Sequence, residues 1–128
     1  GDRTDTRPGR EWNDMQLVIC VLNRTELLDT LLKRLVEEGI RGATILDSTG
    51  LLRALADPDD LPVFGVLRRI IDPEREHSRT ILIAAEKKQV AVIRNVVNEV
   101  TGGLNQPDTG ILIGLPIDFI EGVALTDE

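Results

Sequence analysis

Apolar positions in this chain form two blocks that repeat the same order of patterns. In the first block, Met15–Leu22 is a nearly continuous apolar run of strand length. Apolar side chains then recur at helical spacing as far as Gly39, a residue type that commonly ends helices. Residues 43–46 supply a second β-branched and apolar run before turn formers reach Gly50. The first block therefore predicts a strand, a helix and a strand.

The second block begins near Arg79 and repeats this order. Residues 80–85 predict a strand, and residues 86–100 carry apolar side chains on one face of a predicted helix. A Thr-Gly-Gly sequence at 101–103 ends that helix, and residues 110–117 predict the next strand. The chain therefore contains two βαβ units of similar length.

Two details refine the predicted elements at their ends. Asn23 and Glu26 have the spacing of a capping box, which predicts that the first helix begins at Asn23. Residues 119–125 predict a short edge strand that can pair with a neighbouring subunit.

A pair of βαβ units most simply forms a ferredoxin-like βαββαβ sandwich, an α+β fold with a four-stranded antiparallel sheet. Both helices then cover one face of the sheet, and the pattern supplies no helix of similar length for the other face. Association of several copies would cover this second face, and we expect a homotrimer.

A long connection, residues 52–78, separates the two units. Connections of this length in compact domains are usually functional, and the apolar positions within residues 61–71 predict a helix of about two to three turns. Residues 1–14 show no periodicity, so they are predicted to be a disordered tail or a cloning remnant. The folded domain is predicted to span residues 15–125.

The composition narrows the class of protein. The chain of 128 residues is 41% hydrophobic and 29% charged, which is typical of a soluble globular protein. A formal charge of −7 and only three aromatic residues (Trp12, Phe64 and Phe119) disfavour nucleic-acid binding. No apolar run reaches the roughly 18–20 residues of a membrane helix, so the cytoplasm is the predicted compartment. A single cysteine, Cys20, excludes an internal disulfide and predicts a buried, inert thiol.

The sequence gives little support to catalysis or metal binding. It contains no phosphate-binding P-loop and no histidine pair, and its one histidine, His77, is a poor metal candidate. We interpret the acidic cluster in the long connection as a solvated turn, and the arginines near it as a solvated surface rather than an anion site. These residues are Asp57, Asp59 and Asp60, and Arg68, Arg69, Arg75 and Arg79.

Short motifs at the ends of the predicted elements, together with the order of those elements, resemble the PII signal-transduction family. The motifs are Gly42-x-Thr44 with Gly50 around the second strand, Thr101-Gly102 at the second helix end, and Asp108-Thr109-Gly110 before the last strand. The resemblance covers residues 15 to about 123. It implies a homotrimer involved in nitrogen regulation. Small effectors, commonly adenine nucleotides, would bind in clefts between subunits, and the long connection would regulate a partner protein.

The resemblance also implies positions for the ligand. Gly42, Thr44 and Gly50 correspond to the positions that flank the nucleotide cleft on the second strand, and Arg53 is the only cation close to the start of the long connection. Thr101 and Gly102 correspond to the start of the phosphate-side loop. Asp108, Thr109 and Gly110 resemble the Gly-Asp-Gly of the family. The threonine hydroxyls would bond a purine edge, and the glycines would let backbone N–H groups approach phosphate oxygens.

Three departures from the family pattern indicate a divergent member. Ile111 replaces the lysine that follows Gly-Asp-Gly, and Asp118 and Glu121 occupy the region where a basic pair is expected. The chain has no tyrosine, which excludes regulation by tyrosine modification. Few fixed positive groups would then face a triphosphate. The candidate ligands are therefore an adenine nucleotide (AMP, ADP or ATP), with a less charged one favoured, or another metabolite. A protein that binds no small molecule is the third alternative.

Two other functions remain open on the same fold. One is a trimer like the metal-tolerance proteins, which would bind divalent cations without a nucleotide. The other is a small acylphosphatase-like enzyme that would use Asn23 and Arg24, although the glycine-rich cradle expected before the first helix is missing. Fold alone does not separate these functions. We expect a regulator rather than an enzyme.

Overall fold

The computed structural model describes residues 14–51, 54 and 77–122. Their elements follow the predicted βαββαβ order, with a 3₁₀ turn at Thr25–Leu27 before the first helix. The strands are β1 (Met15–Leu22), β2 (Thr44–Ser48), β3 (Ser78–Glu86) and β4 (Gly110–Pro116), and the helices are α1 (Leu28–Glu37) and α2 (Lys87–Thr101).

All strand pairs are antiparallel, and the strand order across the sheet is β2-β3-β1-β4. In this register Cys20 of β1 lies between Ile81 of β3 and Leu112 of β4. Strands β2 and β4 form the two edges of the sheet. The order of strands confirms the predicted ferredoxin-like fold.

One face of the sheet packs against both helices and forms the core. Alternate residues of β1 and β3 point to this side because side chains alternate between the faces of a strand. The core residues of the described chain are aliphatic apart from the small thiol of Cys20. Members of the core include Val18, Leu22, Ile81 and Ile83 from the sheet, Leu31 and Leu35 from α1, Ile40 after it, and Ile93, Val96 and Val97 from α2.

Cys20 is buried at the centre of this core, with 1% of its surface exposed. Burial disfavours the charged thiolate and raises the pKa of the thiol to about 11. The predicted burial of this thiol is confirmed.

The opposite face of the sheet, called the outer face here, is largely apolar and is not covered by either described helix. Residues directly opposite in an antiparallel sheet share a face, which places ten apolar residues on this side. They are Met15, Leu17, Ile19, Val21, Leu46, Leu82, Ala84, Ile111, Ile113 and Leu115. Along β4 the exposed fractions are 56% for Ile111, 42% for Ile113 and 44% for Leu115.

The predicted start of the first helix at Asn23 is wrong, because the helix begins at Leu28 after a short turn. The chain forms the 3₁₀ turn there, with Arg24 at its N-cap position and no capping hydrogen bond from a side chain. The backbone N–H of Asn23 donates instead to the carbonyl of Thr109 at 2.9 Å, so Asn23 ties β1 to the loop before β4. A capping box does occur at α2, between Glu86 and Gln89.

The predicted strand after β4 is also wrong in its described part. The ladder ends where the N–H of Ile117 reaches the carbonyl of Met15 at 3.4 Å, and residues 119–122 form no strand. Gly122 has a φ of 89°, which is outside the range of a strand. Residues 123–125 lie outside the described residues.

Three predictions concern segments that the structure does not describe. The tail at residues 1–13, the helix within residues 61–71 and most of the 52–78 connection all stay predictions. No helix in the described ranges is both long and apolar enough to cross a membrane.

Candidate functional site

The C-terminal end of α2 and the loop before β4 enclose an open cleft, called the corner cleft here, with a volume of about 540 Å³. Three of the predicted ligand residues, Thr101, Gly102 and Thr109, line it together. The other lining residues are Arg24, Glu26, Gln106 and Pro107. The fold therefore brings together two motifs that are separate in sequence.

Inside the corner cleft, the hydroxyl of Thr101 is used within the helix end. It donates to the carbonyl of Val97 at 2.7 Å and accepts the N–H of Gly103 at 3.3 Å, and only 2% of Thr101 is exposed. A hydroxyl with these partners stabilises the helix terminus. Contact between Thr101 and a purine stays a prediction, and in this subunit the hydroxyl is already engaged.

Backbone N–H groups of the loop after α2 are largely occupied as well. Gly103 donates to Thr101, Leu104 donates to the side chain of Asn98 at 3.0 Å, and Gln106 donates to the carbonyl of Gly103 at 3.2 Å. Gly102 has a φ of 81°, the left-handed conformation that commonly follows a helix. The loop thus uses its glycines and these three donors to hold its own shape.

Thr109 and Gly110 anchor β4 to β1. Thr109 is 1% exposed, and its hydroxyl donates to the carbonyl of Pro107 at 3.3 Å. At Gly110 the chain passes so close to β1 that a Cβ atom would overlap the carbonyl oxygen of Val21. Both residues therefore have structural roles beside any contact with a ligand. Asp108 precedes them with a φ of 56°.

The charges of the corner cleft are balanced. Arg24 places Nη1 3.5 Å from the carbonyl oxygen of Thr101 and Nε 3.3 Å from a carboxylate oxygen of Glu26. The C-terminal end of a helix also carries partial negative charge, which disfavours anions. Both contacts are long, and the side chains of Arg24 and Glu26 are 37% and 58% exposed, so the guanidinium is weakly held. This arrangement suits a polar ligand of low charge better than a triphosphate.

Arg24 and Glu26 line the corner cleft, a role that the sequence does not predict for either. In sequence, Arg24 belongs to an acylphosphatase-like pattern and Glu26 to the predicted capping box. The pairing of Asn23 with Thr109 holds the segment that carries Arg24 and Glu26 beside the loop before β4. This pairing has no local sequence signal, because it depends on the register of β1 with β4.

The remaining described ligand candidates lie at the other edge of the sheet. Gly42 and Gly50 flank β2 and are exposed, and a Cβ atom added at either would meet no atom within 4 Å. Thr44 lies on the outer face opposite Leu82. Three strand spacings of about 4.8 Å separate β2 from β4, a distance of roughly 14 Å. Arg53 lies outside the described residues.

Side chains at the open end of the β2–β3 hairpin join the two strands where the long connection leaves them. Three cross-strand pairs follow in succession, and we call them the hairpin clasp. They are the ion pair of Asp47 with Arg79 at 2.9 Å, the hydroxyls of Ser48 and Ser78 at 2.7 Å, and Thr49 with Nδ1 of His77 at 2.5 Å. Thr80 adds a donated hydrogen bond to the hydroxyl of Ser48 at 2.8 Å.

Residues that could bind a metal ion are not clustered in the described part of the chain. No group of three or more His, Cys, Asp or Glu side chains there is placed to hold a metal ion. The acidic cluster at Asp57, Asp59 and Asp60 lies outside the described residues, so its interpretation as a solvated turn stays a prediction.

Comparison with known proteins gives matches at the level of structure. No model of a known protein family matches the chain, and no curated protein matches it either. Solved structures do match. Arabidopsis thaliana PII bound to citrate has a TM-score of 0.56 and 20% identity, over 82% of this chain and 78% of that chain.

Two further structures match to a similar degree. A functionally unknown protein from Pediococcus pentosaceus has a TM-score of 0.58 and 16% identity, over 87% of this chain and 99% of its own. A DUF3240 family protein from Shewanella baltica has a TM-score of 0.57 and 13% identity, over 87% and 98%. The chain thus has the class of fold in which a four-stranded antiparallel sheet carries two helices on one face. Within that class, its fold is PII-like.

Proposed function

We propose that this protein is a divergent PII-like regulator. In this proposal it forms a homotrimer, binds a small effector in clefts between subunits and acts on a partner protein through the 52–78 connection. An adenine nucleotide is the first candidate effector. In this proposal the protein acts by binding and has no catalytic activity.

The observation that carries the proposal is the separation of the two predicted halves of the ligand site. The corner cleft lies beside β4, and the glycines around β2 lie at the opposite edge of the sheet. One subunit leaves the two groups roughly 14 Å apart, as three strand spacings require. A second copy that sets its β2 edge beside this β4 edge would bring them together, as expected for an inter-subunit site.

The outer face supports association of copies. Its apolar residues along β4 are about half exposed, which is unusual for a face of a stable sheet in a monomer. Burial of this face against other copies would remove that apolar surface from water.

The charge balance of the corner cleft supports an effector of low charge. Arg24 is its one described cation, and Glu26 lies beside it. We therefore expect AMP or cyclic AMP to bind more tightly than ATP, because the additional phosphates of ATP would meet no further fixed cation in the described part of the cleft.

The first experiment is calorimetric titration of the purified full chain with AMP, ADP, ATP, cyclic AMP and citrate, with its mass fixed by light scattering. The expected result is a trimer with about one site per subunit. A trimer that gives no heat with any of the nucleotides would contradict the proposal that the effector is a nucleotide. A monomer would contradict the proposal that the cleft is shared between subunits.

Two variants locate the site on both edges. Arg24→Gln removes the cation of the corner cleft, and Gly50→Val adds bulk near β2 where the chain has open space. Each should weaken binding by about tenfold or more, as loss of a charge-assisted contact or a steric block does. Lys33→Gln, on the exposed side of α1, is the matched control and should leave the affinity unchanged.

A mixing experiment tests whether the site is shared between subunits. Random trimers of Arg24→Gln and Gly50→Val chains would contain some clefts with both native residues. About one quarter of all clefts should be restored, since each cleft takes one edge from each of two subunits. A site within one subunit would give no restoration.

A further inference from the structure

The helix-facing side of β4 is poorly filled. Register places four β4 residues on this side, opposite Leu22, Cys20, Val18 and Gln16 of β1. They are Gly110, Leu112, Gly114 and Pro116, and Leu112 is the only large side chain among them. The layer between β4 and α2 is therefore incomplete along this edge.

The unfilled space forms a groove between β4 and α2, called the edge groove here, with a volume of about 280 Å³. Its apolar side chains are those of Val18, Val90, Leu112 and Ile113, its polar groups are Gln16 and Arg94, and Gly114 completes the described lining. It shares no lining residue with the corner cleft. An apolar surface with a few convergent polar groups is typical of small-molecule sites.

The two polar side chains of the edge groove have unused hydrogen-bonding groups. Among the described residues, the guanidinium of Arg94 forms no ion pair and the side-chain amide of Gln16 forms no hydrogen bond. Arg94 thus presents an unneutralised cation with five donors beside an apolar surface. A carboxylate is the group that pairs with such a fork through two parallel hydrogen bonds.

Gly114 creates the space without being required by the backbone. A Cβ atom added there would meet only the side-chain oxygen of Gln16, at 3.8 Å, which is an ordinary contact. Glycine inside a strand weakens it, and it often marks a place where a ligand or another backbone comes close. Among the described residues no backbone atom lies within 4 Å of that Cβ position, which favours a ligand as the explanation.

We propose that the edge groove binds a small carboxylate with a short apolar tail. The carboxylate pairs with Arg94, Gln16 contributes a further hydrogen bond, and the tail lies on Val18, Val90 and Leu112. This site goes beyond the proposed nucleotide cleft and is built from different lining residues.

Hexanoate is the probe, and two compounds separate its parts. Acetate has the charge without the tail, and 1-hexanol has the tail without the charge. Titrations of the isotope-labelled full chain, followed by amide and side-chain NMR shifts, should show saturable changes at Gln16, Arg94 and Gly114. Hexanoate should bind at least about tenfold more tightly than either partial probe, because both contacts are needed.

Two variants test the assigned roles. Arg94→Gln should weaken hexanoate by about tenfold or more, while Arg41→Gln, an exposed arginine outside the groove, should not change its affinity. Gly114→Leu should abolish binding by filling the groove. Its fold is checked by the NMR spectrum of residues far from β4, and Gly114→Ala provides a smaller version of the same change.

Several results would overturn the proposal. Absence of saturable shifts at the groove residues is one. Equal affinity for acetate and hexanoate would mean that only an ion binds, and equal affinity for 1-hexanol and hexanoate would mean that Arg94 has no part. Retained binding in a folded Gly114→Leu variant would place the ligand elsewhere.

Discussion

A Cβ atom on Gly110 would overlap the carbonyl oxygen of Val21, so the first residue of β4 lies directly against the backbone of β1. Four residues further along the same face of the same strand, Gly114 has room for a methyl group. The two glycines therefore look alike in sequence and differ in what the fold requires of them.

Gly110→Ala should destabilise the fold by about 2–4 kcal/mol, because the methyl group forces β4 away from β1 and weakens the ladder. Gly114→Ala is the matched control and should change the free energy of unfolding by less than about 0.5 kcal/mol. Denaturant unfolding measures both. Equal losses in the two variants would show that close approach to Val21 is not the cause.

Removal of different hydroxyl groups at the hairpin clasp should lower the free energy of unfolding by different amounts. Thr80 donates to Ser48 Oγ, and Ser78 donates to the carbonyl of Ser48 at 3.3 Å, which leaves the Ser48 hydroxyl to donate to Ser78. Ser78→Ala removes a donor and the acceptor of that last bond, so we expect a loss of about 1–2 kcal/mol. Thr80→Val removes one donor and should cost less than about 1 kcal/mol. A larger loss in Thr80→Val, measured by denaturant unfolding, would contradict this order of hydrogen bonds.

Burial of Cys20 predicts a loss of stability at high pH. The pKa of the thiol is raised from 9.0 to about 11 in the folded chain, so the unfolded chain releases this proton first. The contribution of the neutral thiol to the free energy of unfolding is fully present below pH 9 and is lost as the pH rises towards 11. Between pH 8 and pH 10 the free energy of unfolding should fall by about 1 kcal/mol from this group.

Cys20→Ala supplies the comparison, because its stability lacks this pH dependence, although removal of the buried thiol also lowers its stability at neutral pH. The quantity to measure is the difference between the two unfolding curves at pH 8 and at pH 10. A constant difference would show that Cys20 does not titrate between them.

A charged side chain introduced on the apolar outer face should disrupt the proposed assembly. Ile113→Asp should convert the proposed trimer to smaller species, because a carboxylate would be buried without a partner in the interface. Val36→Asp is the matched control: Val36 is 64% exposed on α1, on the other side of the molecule, and should not affect assembly. Light scattering after gel filtration gives the mass of each. Identical masses for Ile113→Asp and the native chain would show that the outer face is not the interface.

Periodicity of apolar residues was sufficient to predict the order of elements, because both βαβ units bury one face and the 2-residue and 3.6-residue repeats differ clearly. It was insufficient at the ends of elements. Asn23 and Glu26 have the spacing of a capping box, yet the backbone of Asn23 pairs with Thr109, a residue far away in sequence. Local spacing contains no information about such a partner.

The candidate site shows the same limit. Thr101, Gly102 and Thr109 were identified through resemblance, but the internal hydrogen bonds of Thr101 became evident only from the packed helix end. The edge groove had no sequence signal at all. Gly114 faces α2 because of the register between β4 and β1, and register is a property of strand pairing rather than of one strand.

The hairpin clasp has a consequence for how this chain can vary over evolution. Thr49 and His77 are 28 positions apart and are held together by their own side chains, so the body of the protein fixes where the intervening segment starts and stops. Closing a loop twice as long costs only about 0.6 kcal/mol more. Insertions, deletions or wholesale exchange of that segment would therefore leave the sheet almost as stable as before. Under the proposed function, a change of partner would therefore require new sequence in that segment and no change in the domain that carries it.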